Sequence, residues 1–319
     1  MSEVSSIKHC DIAVIGGGPA GLTAGLYGAR GGVETIVFER RMCGGQIVTT
    51  AMVENYPAFP TGISGSDLGE LMTRQAEAQG AHIKLFVNVT GITRAPEEDG
   101  VRFTLETDGG DKWLARTVIL ACGAVPYKLG IPGEAEYTGR GVSWCATCDG
   151  AFYRDKVVAV IGGGDAAVEE ALFLTKFARK VFLVHRRDEF RATPVLVERA
   201  RANEQIAFVL SSVPVAIEGN GSKVTGLRVR CVKDESEQLL GLDGVFEFVG
   251  VQPVNELAGG LMDTGTTGGY IETAPDGSVV GIPGLFAAGD LTYGPLKQVV
   301  TAAAGGAVAA FSALKYLEA

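Results

Sequence analysis

The residues best suited to chemistry in this chain are two closely spaced cysteines, Cys145 and Cys148, followed directly by the acid Asp149. Two thiols at this spacing can act in turn, one attacking an external disulfide and the other resolving the mixed disulfide that results. An adjacent carboxylic acid can protonate the leaving thiolate if its pKa is raised towards neutrality. The same spacing also suits half of a structural zinc site, so redox and metal chemistry are both open at this point.

The remaining cysteines and histidines favour redox chemistry over zinc. The sequence has six cysteines and three histidines. Apart from Cys145 and Cys148 there is no second close pair, and His9, His82 and His185 are scattered, so the further ligands of a zinc site are missing. Scattered cysteines also do not form the framework of a secreted disulfide-rich protein. We predict no metal site and a cytoplasmic protein.

Two glycine-rich turns must position this pair. The first, at 16–21, follows the apolar run Cys10 to Ile15 and precedes a helical stretch to Gly31 and a strand that ends in Glu39. Such a turn lets the backbone approach a pyrophosphate and directs a helix N-terminus at it, while the acid accepts hydrogen bonds from a ribose. The predicted contacts are Gly16, Gly18, Pro19, Ala20, Gly21 and Glu39.

The second turn, at 162–167, repeats the first in order and spacing. It follows the strand-like segment Lys156 to Ile161 and precedes a helix to about Arg179 and a strand from Val181 to His185. The distance from the first glycine to the end of the second strand is the same in both copies. It runs from residue 16 to residue 39 in the first copy and from residue 162 to residue 185 in the second. This agreement makes chance much less plausible than for one isolated motif. The predicted contacts are Gly162, Gly164, Asp165, Ala166 and Ala167.

The two copies end in opposite charge, which predicts different nucleotides. A 2′-phosphate would be repelled by Glu39, so the first turn suits FAD or NAD. The second strand ends in a basic cluster whose guanidinium groups can hold a 2′-phosphate, so this turn suits NADP. The residues of that cluster are His185, Arg186, Arg187 and Arg191.

A third junction of strand and helix lies near the C-terminus. The segment Gly284 to Asp290 is predicted to be a buried strand ending in an acid, and Leu296 to Ala310 a close-packed helix. Asp290 is suited to accept a hydrogen bond from a ribityl hydroxyl. Lys297 and Gln298, at the predicted start of the helix, are suited to face an anion or an electron-rich ring.

Together these motifs resemble the low-molecular-weight, bacterial-type thioredoxin reductases of the class II pyridine nucleotide-disulfide oxidoreductase family. The resemblance runs through nearly the whole chain: GGGPAG at 16–21, GGQ at 44–46, ENYP at 54–57, CATCDG at 145–150, GGGDAAVEEA at 162–171, HRRDEFRA at 185–192 and AAGD at 287–290. It implies an α/β fold with two Rossmann-like, FAD/NAD(P)-binding three-layer domains, the second inserted into the first. An FAD domain is expected at 1–122 and 250–319, and an NADPH domain carrying the redox disulfide at 123–249.

The resemblance also implies an activity and a division of roles. The expected enzyme is a homodimeric NADPH-dependent thioredoxin-disulfide reductase with FAD as its flavin. Cys148 would lie against the flavin, Cys145 would attack thioredoxin or a thioredoxin-like protein, and Asp149 would donate and accept protons. Further FAD contacts are implied at Gly45, Gln46, Asn55, Asp290, Lys297, Gln298 and Val299.

The placement of the dithiol predicts a movement. Cys145, Cys148 and the second glycine turn belong to the same expected domain, whereas the flavin would belong to the other. We therefore expect the inserted domain to rotate as a rigid body between half-reactions, with hinges at 122–124 and 249–251, where glycine can absorb a backbone change.

Composition and charge limit the other partners. The net charge of −9 argues against nucleic acid, whose binders need clustered Lys and Arg. The first ten residues contain no apolar signal core, and the apolar run Thr301 to Phe311 is short for a bilayer, so no membrane association is predicted.

One alternative function stays open. A related flavin enzyme could take electrons from ferredoxin, or its dithiol could oxidise a small molecule. The ferredoxin version has no use for a 2′-phosphate clamp, so Arg186, Arg187 and Arg191 argue against it.

Overall fold

A computed structural model describes residues 7–50, 52–95, 101–264 and 268–319. The chain divides into two compact units. The split unit comprises Met1–Val125 and Gln252–Ala319, and the inserted unit comprises Pro126–Val251. The chain therefore leaves the first unit once, builds the second and returns.

Strands and helices alternate in parts of the chain, separated by runs of consecutive strands. Before the first crossover lie β1 (Lys8–Ile15), α1 (Pro19–Arg30), β2 (Thr35–Glu39), α2 (Gly65–Ala78), β3 (His82–Leu85), β4 (Val89–Arg94), β5 (Phe103–Thr107), β6 (Lys112–Leu120) and β7 (Ala124–Pro126). The next segment forms α3 (Glu134–Tyr137), β8 (Val142–Ser143), α4 (Ala146–Asp149), β9 (Val157–Ile161), α5 (Asp165–Leu174), β10 (Lys180–Val184), α6 (Pro194–Arg201), β11 (Ile206–Val209), β12 (Ser212–Gly219), β13 (Val224–Cys231), β14 (Glu237–Gly241) and β15 (Gly244–Glu247). The return forms β16 (Val251–Pro253), β17 (Leu285–Ala287) and α7 (Val299–Glu318). Short 3₁₀ helices lie at Gly45–Thr49, Gly150–Tyr153, Glu256–Ala258 and Gly289–Leu291.

The split unit is built on one mixed sheet in the order β3-β2-β1-β6-β5-β4, with β17 also paired to β6. Strands β1, β2, β3, β6 and β17 are parallel, whereas β4 and β5 run antiparallel. Strand β1 is apolar on both faces because both faces are covered. Ile12 and Val14 pack with α1 and α7, and Ala13 and Ile15 pack in a second core with residues of β4 and β5.

The inserted unit has three layers. Its central sheet is parallel throughout, in the order β11-β10-β9-β15-β8. Val158 and Val160 of β9 pack on one face with residues of α5 and α6, while Val157 and Ala159 pack on the other with the antiparallel sheet β12-β13-β14. The predicted α/β fold with Rossmann-like layers is confirmed.

Two predicted helix limits were wrong. The helix after the second turn ends at Leu174 rather than near Arg179, and a turn follows in which the Thr175 hydroxyl donates to the Leu172 carbonyl (2.7 Å). This local side-chain bond competes with continuation of the helix. Helix α7 begins at Val299, not Leu296, because Gln298 is its N-cap and forms a capping box with Thr301.

Helix α7 is also longer than the apolar run suggested. It has 20 residues and is long and apolar enough, by length and composition, to cross a membrane. Its buried small residues, Ala309, Ala310 and Ala313, pack in the same core as Ala20 and Ala24 of α1. One face of α7 therefore packs against α1 within the split unit.

Candidate active site

The carboxyl ends of the parallel strands bring the predicted residues of the split unit to one edge. Gly16 follows β1, Glu39 ends β2, and the segment that leads to Asp290 follows β17. Backbone hydrogen bonds hold this edge together. The Ala121 amide donates to the Ile15 carbonyl (2.8 Å), and the amide of Ala288, the residue that follows β17, donates to the carbonyl of Leu120 at the end of β6. In open α/β sheets such an edge is where dinucleotides bind.

The first glycine turn leaves room for an anion at the start of α1. Gly16 has φ +110° and lies directly against the Ala121 carbonyl, so no other residue fits there. Gly18 is the N-cap of α1, and no described side chain caps it. A Cβ on Gly18 would meet only Gly45, at 3.9 Å. Pro19 starts the helix in a favourable position, with Ala20 and Gly21 buried behind it. Open space in front of uncapped helical amides fits a pyrophosphate.

Glu39 is fixed at this turn by backbone amides. One carboxylate oxygen accepts from Gly17 (2.7 Å) and the other from Arg41 (2.8 Å). The acid therefore lies beside the glycine turn, as a ribose-binding carboxylate requires.

The other residues predicted to contact FAD lie in two groups. Gly45 lies over the first turn, close to Gly18, and the neighbouring Gln46 donates its amide to the Ala124 carbonyl. In the second group, Asn55 donates to the Gln298 side chain (3.0 Å). Gln298 caps α7, of which Val299 is the first residue.

Lys297 and Asp290 are two half-buried residues of opposite charge near this second group. The ammonium group of Lys297 donates to the backbone carbonyls of Asp290 (3.0 Å) and Thr292 (2.6 Å). It also lies 4.3 Å from the ring centre of Tyr270, a residue that no motif had indicated. Burial raises the pKa of Asp290 while Lys297 lowers it, and burial lowers the pKa of Lys297.

The second glycine turn, in the inserted unit, repeats these features. A Cβ on Gly162 would lie 2.5 Å from the Phe248 carbonyl oxygen and 2.6 Å from the Ala167 methyl group. Gly164 is the N-cap of α5, has no side-chain cap among the described residues, and has open space in front of it. Asp165 accepts from the amide (2.6 Å) and the hydroxyl (3.1 Å) of Thr193, so it anchors the segment after the basic cluster. Ala166 is exposed.

The His185 side chain packs against the second glycine turn. Its ring is buried, stacks on Phe190 with 5.1 Å between ring centres, and lies directly under Gly163. One ring nitrogen lies 3.2 Å from the Glu189 carbonyl oxygen. Burial lowers the pKa of His185, and Arg186 is among the cations that lower it further. The ring therefore packs as a neutral group.

The three arginines of the cluster lie free at the surface. Arg186, Arg187 and Arg191 are exposed, and within the described part of the chain their guanidinium groups have no hydrogen bond or ion pair. The amide of Arg191 donates to the Gly163 carbonyl (2.8 Å), which ties it to the glycine turn. Guanidinium groups that lie beside such a turn, and whose hydrogen-bond donors are not used by described residues, are suited to bind a 2′-phosphate.

Cys145 and Cys148 form a disulfide in the inserted unit. Strand β8 ends two residues before Cys145, which is the N-cap of the short helix α4 that contains Cys148. The Cys145 sulfur accepts from the Cys148 amide (3.2 Å) and lies 3.4 Å from the Thr147 hydroxyl oxygen. Both cysteines are half-buried. Donors on one sulfur favour negative charge on Cys145.

The remaining cysteines form no disulfide. Burial raises the pKa of Cys10 to about 12, that of Cys43 to about 11 and that of Cys122 to about 12. A thiol with so high a pKa is a weak nucleophile at neutral pH.

Asp149 ends α4 beside the disulfide. Burial raises its pKa, and a hydrogen bond from the Ser143 hydroxyl opposes this rise. The Ser143 oxygen also accepts from the Cys145 amide (3.0 Å), so one side chain organises both groups. A carboxylic acid with a raised pKa next to a disulfide is suited to donate a proton to a leaving thiolate.

Besides Tyr270, sequence reasoning missed three residues near the disulfide: Ser143, Glu134 and Glu247. Ser143 lies too close to the cysteines to form a separate motif. Glu247 does leave a signal, because it is a lone charge in the apolar run GVFEFVG, and Glu134 is buried although it lies in a polar segment.

Known proteins resemble this chain over nearly its full length. The family model described as pyridine nucleotide-disulphide oxidoreductase matches residues 10–306. The thioredoxin reductase of Listeria monocytogenes is 42% identical over 98% of this chain and 96% of its own length, and the bifunctional thioredoxin reductase/thioredoxin of Mycobacterium leprae is 45% identical over 96% of this chain and 66% of its own. The crystal structure of thioredoxin reductase from Streptococcus pyogenes MGAS5005 is 40% identical, with a TM-score of 0.89 over 98% of this chain and 99% of that one. The chain belongs to the pyridine nucleotide-disulphide oxidoreductase family, among its thioredoxin reductases.

Proposed function

We propose that this protein is an NADPH-dependent thioredoxin-disulfide reductase that works with FAD. The observation that carries the proposal is the Cys145–Cys148 disulfide, which lies in the same unit as a glycine turn flanked by three uncommitted arginines. The decisive assay adds purified protein to NADPH and oxidised thioredoxin and follows the loss of NADPH together with the appearance of thioredoxin thiols. No loss of NADPH in the complete mixture would contradict the proposal.

The split unit supplies the proposed FAD domain and the inserted unit the NADPH domain. When bound, FAD supplies a carrier that takes a hydride from NADPH and returns two electrons to a disulfide. In the split unit, the first glycine turn would hold the pyrophosphate and Glu39 the ribose. Asn55, Asp290 and the start of α7 would line the rest of the site. In the inserted unit, the second turn and its arginines would hold NADPH.

The dithiol is proposed to reduce thioredoxin by two exchanges. The Cys145 thiolate attacks one sulfur of the thioredoxin disulfide, and the sulfur–sulfur bond breaks to leave a mixed disulfide and one thiolate, which takes a proton from Asp149. The Cys148 thiolate then attacks Cys145, which releases the second thioredoxin thiolate and restores the Cys145–Cys148 disulfide. The amide that donates to the Cys145 sulfur supports Cys145 as the attacking thiolate, and leaves Cys148 to face the flavin.

Thioredoxin is the proposed partner because a relative joins both functions. The Mycobacterium leprae protein is named a bifunctional thioredoxin reductase/thioredoxin, and this chain matches 66% of it. A reductase fused to thioredoxin has its partner at high effective concentration. We propose the same partner here as a separate protein.

Replacing Asp149 by asparagine is expected to lower turnover with thioredoxin about a hundredfold, because a carboxamide cannot donate the proton. In the parent enzyme turnover should fall as the pH rises through the raised pKa of Asp149, since the carboxylate form has no proton to give. The variant should be slow at every pH.

Flavin bleaching by NADPH provides the control for this substitution and should be unchanged. Glu169→Gln, which alters an exposed acid on α5, should behave like the parent. A variant of Asp149 with normal turnover across the pH range would remove this residue from the mechanism.

We also propose that the inserted unit rotates between half-reactions. Both its nucleotide turn and its disulfide must reach an FAD site that lies in the other unit. The connections support hinges: β7 and β16 pair with each other, Gly123 has φ +74° and Gly250 has φ +121°. Glycine can absorb the backbone change that such a rotation needs.

A chemical cross-link that fixes the two units to each other is expected to abolish steady turnover. Each half-reaction needs a different orientation, so at most one of them should survive, which stopped-flow flavin absorbance can measure. Cleaving the cross-link should restore turnover. Full activity in the cross-linked protein would exclude the rotation.

A homodimer in the cytoplasm completes the proposal. Helix α7 leaves Val300, Val308 and Phe311 exposed, and apolar side chains on one helix support a contact with a second copy. The four cysteines outside the pair are free, as expected in a reducing compartment.

A further inference from the structure

A buried acid lies next to the redox disulfide without belonging to any of the motifs above. Glu247 ends β15, which pairs with β8 so that Phe246 lies opposite Ser143. Glu247 is the next residue of β15, Trp144 directly follows β8, and the Trp144 indole donates to the Glu247 carboxyl group (3.0 Å). Trp144 immediately precedes Cys145, so the hydrogen bond holds the segment that enters the disulfide.

The Glu247 carboxyl group also interacts with a second acid, Glu134. Glu134 is 3% exposed, and its carboxylate accepts from the amides of Leu129 (3.2 Å), Gly130 (2.6 Å) and Ile131 (3.3 Å). A carboxylate held in this way accepts hydrogen bonds and has none to give to Glu247.

The pair therefore needs one proton, and the surroundings place it on Glu247. This residue is 2% exposed, and its Oε1 atom receives no hydrogen bond from any described residue. As a carboxylate it would leave that oxygen buried, unpaired and next to a negative charge. As a carboxylic acid it can donate from Oε1 to Glu134 and still accept from Trp144 on Oε2, so every polar atom is satisfied.

The electrostatics of the site agree with this arrangement. Burial is the main cause that raises the pKa of Glu247 to about 8, the charge of Glu134 raises it further, and Trp144 and Lys128 oppose the rise. Glu134 and Lys128 are the titratable groups that act on it. Lys128 is exposed and lies 5.8 Å from the ring centre of Trp144.

We propose that Glu247 is a positioning residue for the redox disulfide: as a neutral acid bonded to Glu134, it holds the Trp144 indole and with it the segment that leads into Cys145. When Glu247 loses its proton, two neighbouring buried carboxylates repel each other, and the carboxyl group that accepts from Trp144 moves away from Glu134 and takes the indole with it. The geometry of the dithiol is thereby coupled to pH in the mildly alkaline range. The effect on turnover rests on the proposed function, whereas the coupling of Trp144 to Glu247 does not.

Tryptophan fluorescence tests the coupling without any enzymatic assay. The chain has two tryptophans, Trp113 in the split unit and Trp144, so Trp113→Phe leaves Trp144 as the reporter. In this holoprotein Trp144 emission is expected to change in a single titration near pH 8. Adding Glu247→Gln should abolish the titration, because the amide donates to Glu134 and accepts from Trp144 but does not ionise. A titration that persists in this variant, or none in the protein with Glu247, would overturn the proposal.

Turnover with thioredoxin tests the positioning role. Glu247→Val removes the acceptor and Trp144→Phe removes the donor, and each should lower kcat about tenfold with the KM for NADPH unchanged. Because both changes break the same hydrogen bond, the double variant should be no slower than either single variant. Glu247→Gln should keep kcat and lose its alkaline fall.

Two outcomes of this cycle separate the possible failures. Losses that multiply in the double variant, or a Gln variant as slow as the Val variant, would show that Glu247 does not act through Trp144. If the parent enzyme itself fails to reduce thioredoxin with NADPH, the proposed function falls, and the fluorescence titration still decides whether Glu247 controls Trp144.

Discussion

Replacing Cys148 by serine is expected to abolish turnover with thioredoxin and to trap thioredoxin on Cys145 as a stable mixed disulfide. The Cys145 thiolate can still attack, and the Cys148 amide that donates to its sulfur is a backbone group that the substitution keeps. The resolving thiolate is gone, so the mixed disulfide cannot be cleaved from within. Turnover should fall at least about a thousandfold, as for other enzymes that lose an essential nucleophile.

Intact-protein mass spectrometry under non-reducing conditions measures the trap directly. The Cys148→Ser variant should gain the mass of one thioredoxin, and added thiol should remove it. Cys145→Ser should also stop turnover but should give no trap, because Cys148 is assigned to the flavin side. Cys231→Ser, a substitution in β13 away from the pair, should leave turnover unchanged.

The pattern of trapping decides the roles of the two sulfurs. A trap on Cys145→Ser with none on Cys148→Ser would reverse the assignment of the attacking and resolving residues. No trap on either variant, with both still inactive, would mean that the physiological acceptor is a small molecule, whose disulfide adduct is detected by its lower mass.

The two nucleotide turns could be predicted from sequence because their constraints are local. Gly16 and Gly162 each lie against a backbone carbonyl with no space for a Cβ, and the strand before and helix after each turn follow from short apolar patterns. The opposite charges at Glu39 and Arg186 are also local, because each lies at or just beyond the end of the strand that follows its turn.

Roles that depend on distant residues could not be predicted in this way. Asp165 is fixed by Thr193, and His185 is buried under Gly163, so both support the second turn structurally, which no spacing rule indicates. The pairing of Trp144 with Glu247 follows from the register of two strands that are about a hundred residues apart. A local pattern identifies strands, whereas register and tertiary pairing determine which side chains meet.

The acid pair shows why such a site is easily overlooked. Three backbone amides satisfy Glu134, so this acid alone looks like the anchor of a loop. Glu247 alone looks like a buried charge that destabilises the fold. Only their combination with Trp144 makes a fully hydrogen-bonded network, with one proton shared between two acids, that ends beside the disulfide, and such networks specify one arrangement when every member is satisfied.

The second large effect is expected from the arginines beside the second glycine turn. Replacing Arg186, Arg187 and Arg191 together by glutamine should raise the KM for NADPH about a hundredfold and leave kcat at saturation nearly unchanged. Each guanidinium group contributes charge-assisted hydrogen bonds to the 2′-phosphate, and these contacts are remote from the nicotinamide. The KM for NADH, which has no 2′-phosphate, should change little, so the preference between the two nucleotides should collapse.

Separate anaerobic titrations of the flavin absorbance, one with NADPH and one with NADH, measure the two affinities. Arg199→Gln, which removes an exposed arginine in the last turn of α6, should titrate like the parent. The three guanidinium groups have no partner within the described part of the chain, and the amide of Arg191 keeps its bond to Gly163, so the variant should fold normally. An equal loss for NADPH and NADH would mean that the arginines support the fold and do not select the phosphate. If neither nucleotide bleaches the flavin of the parent enzyme, NADPH is not the donor, and reduced ferredoxin becomes the next donor to test.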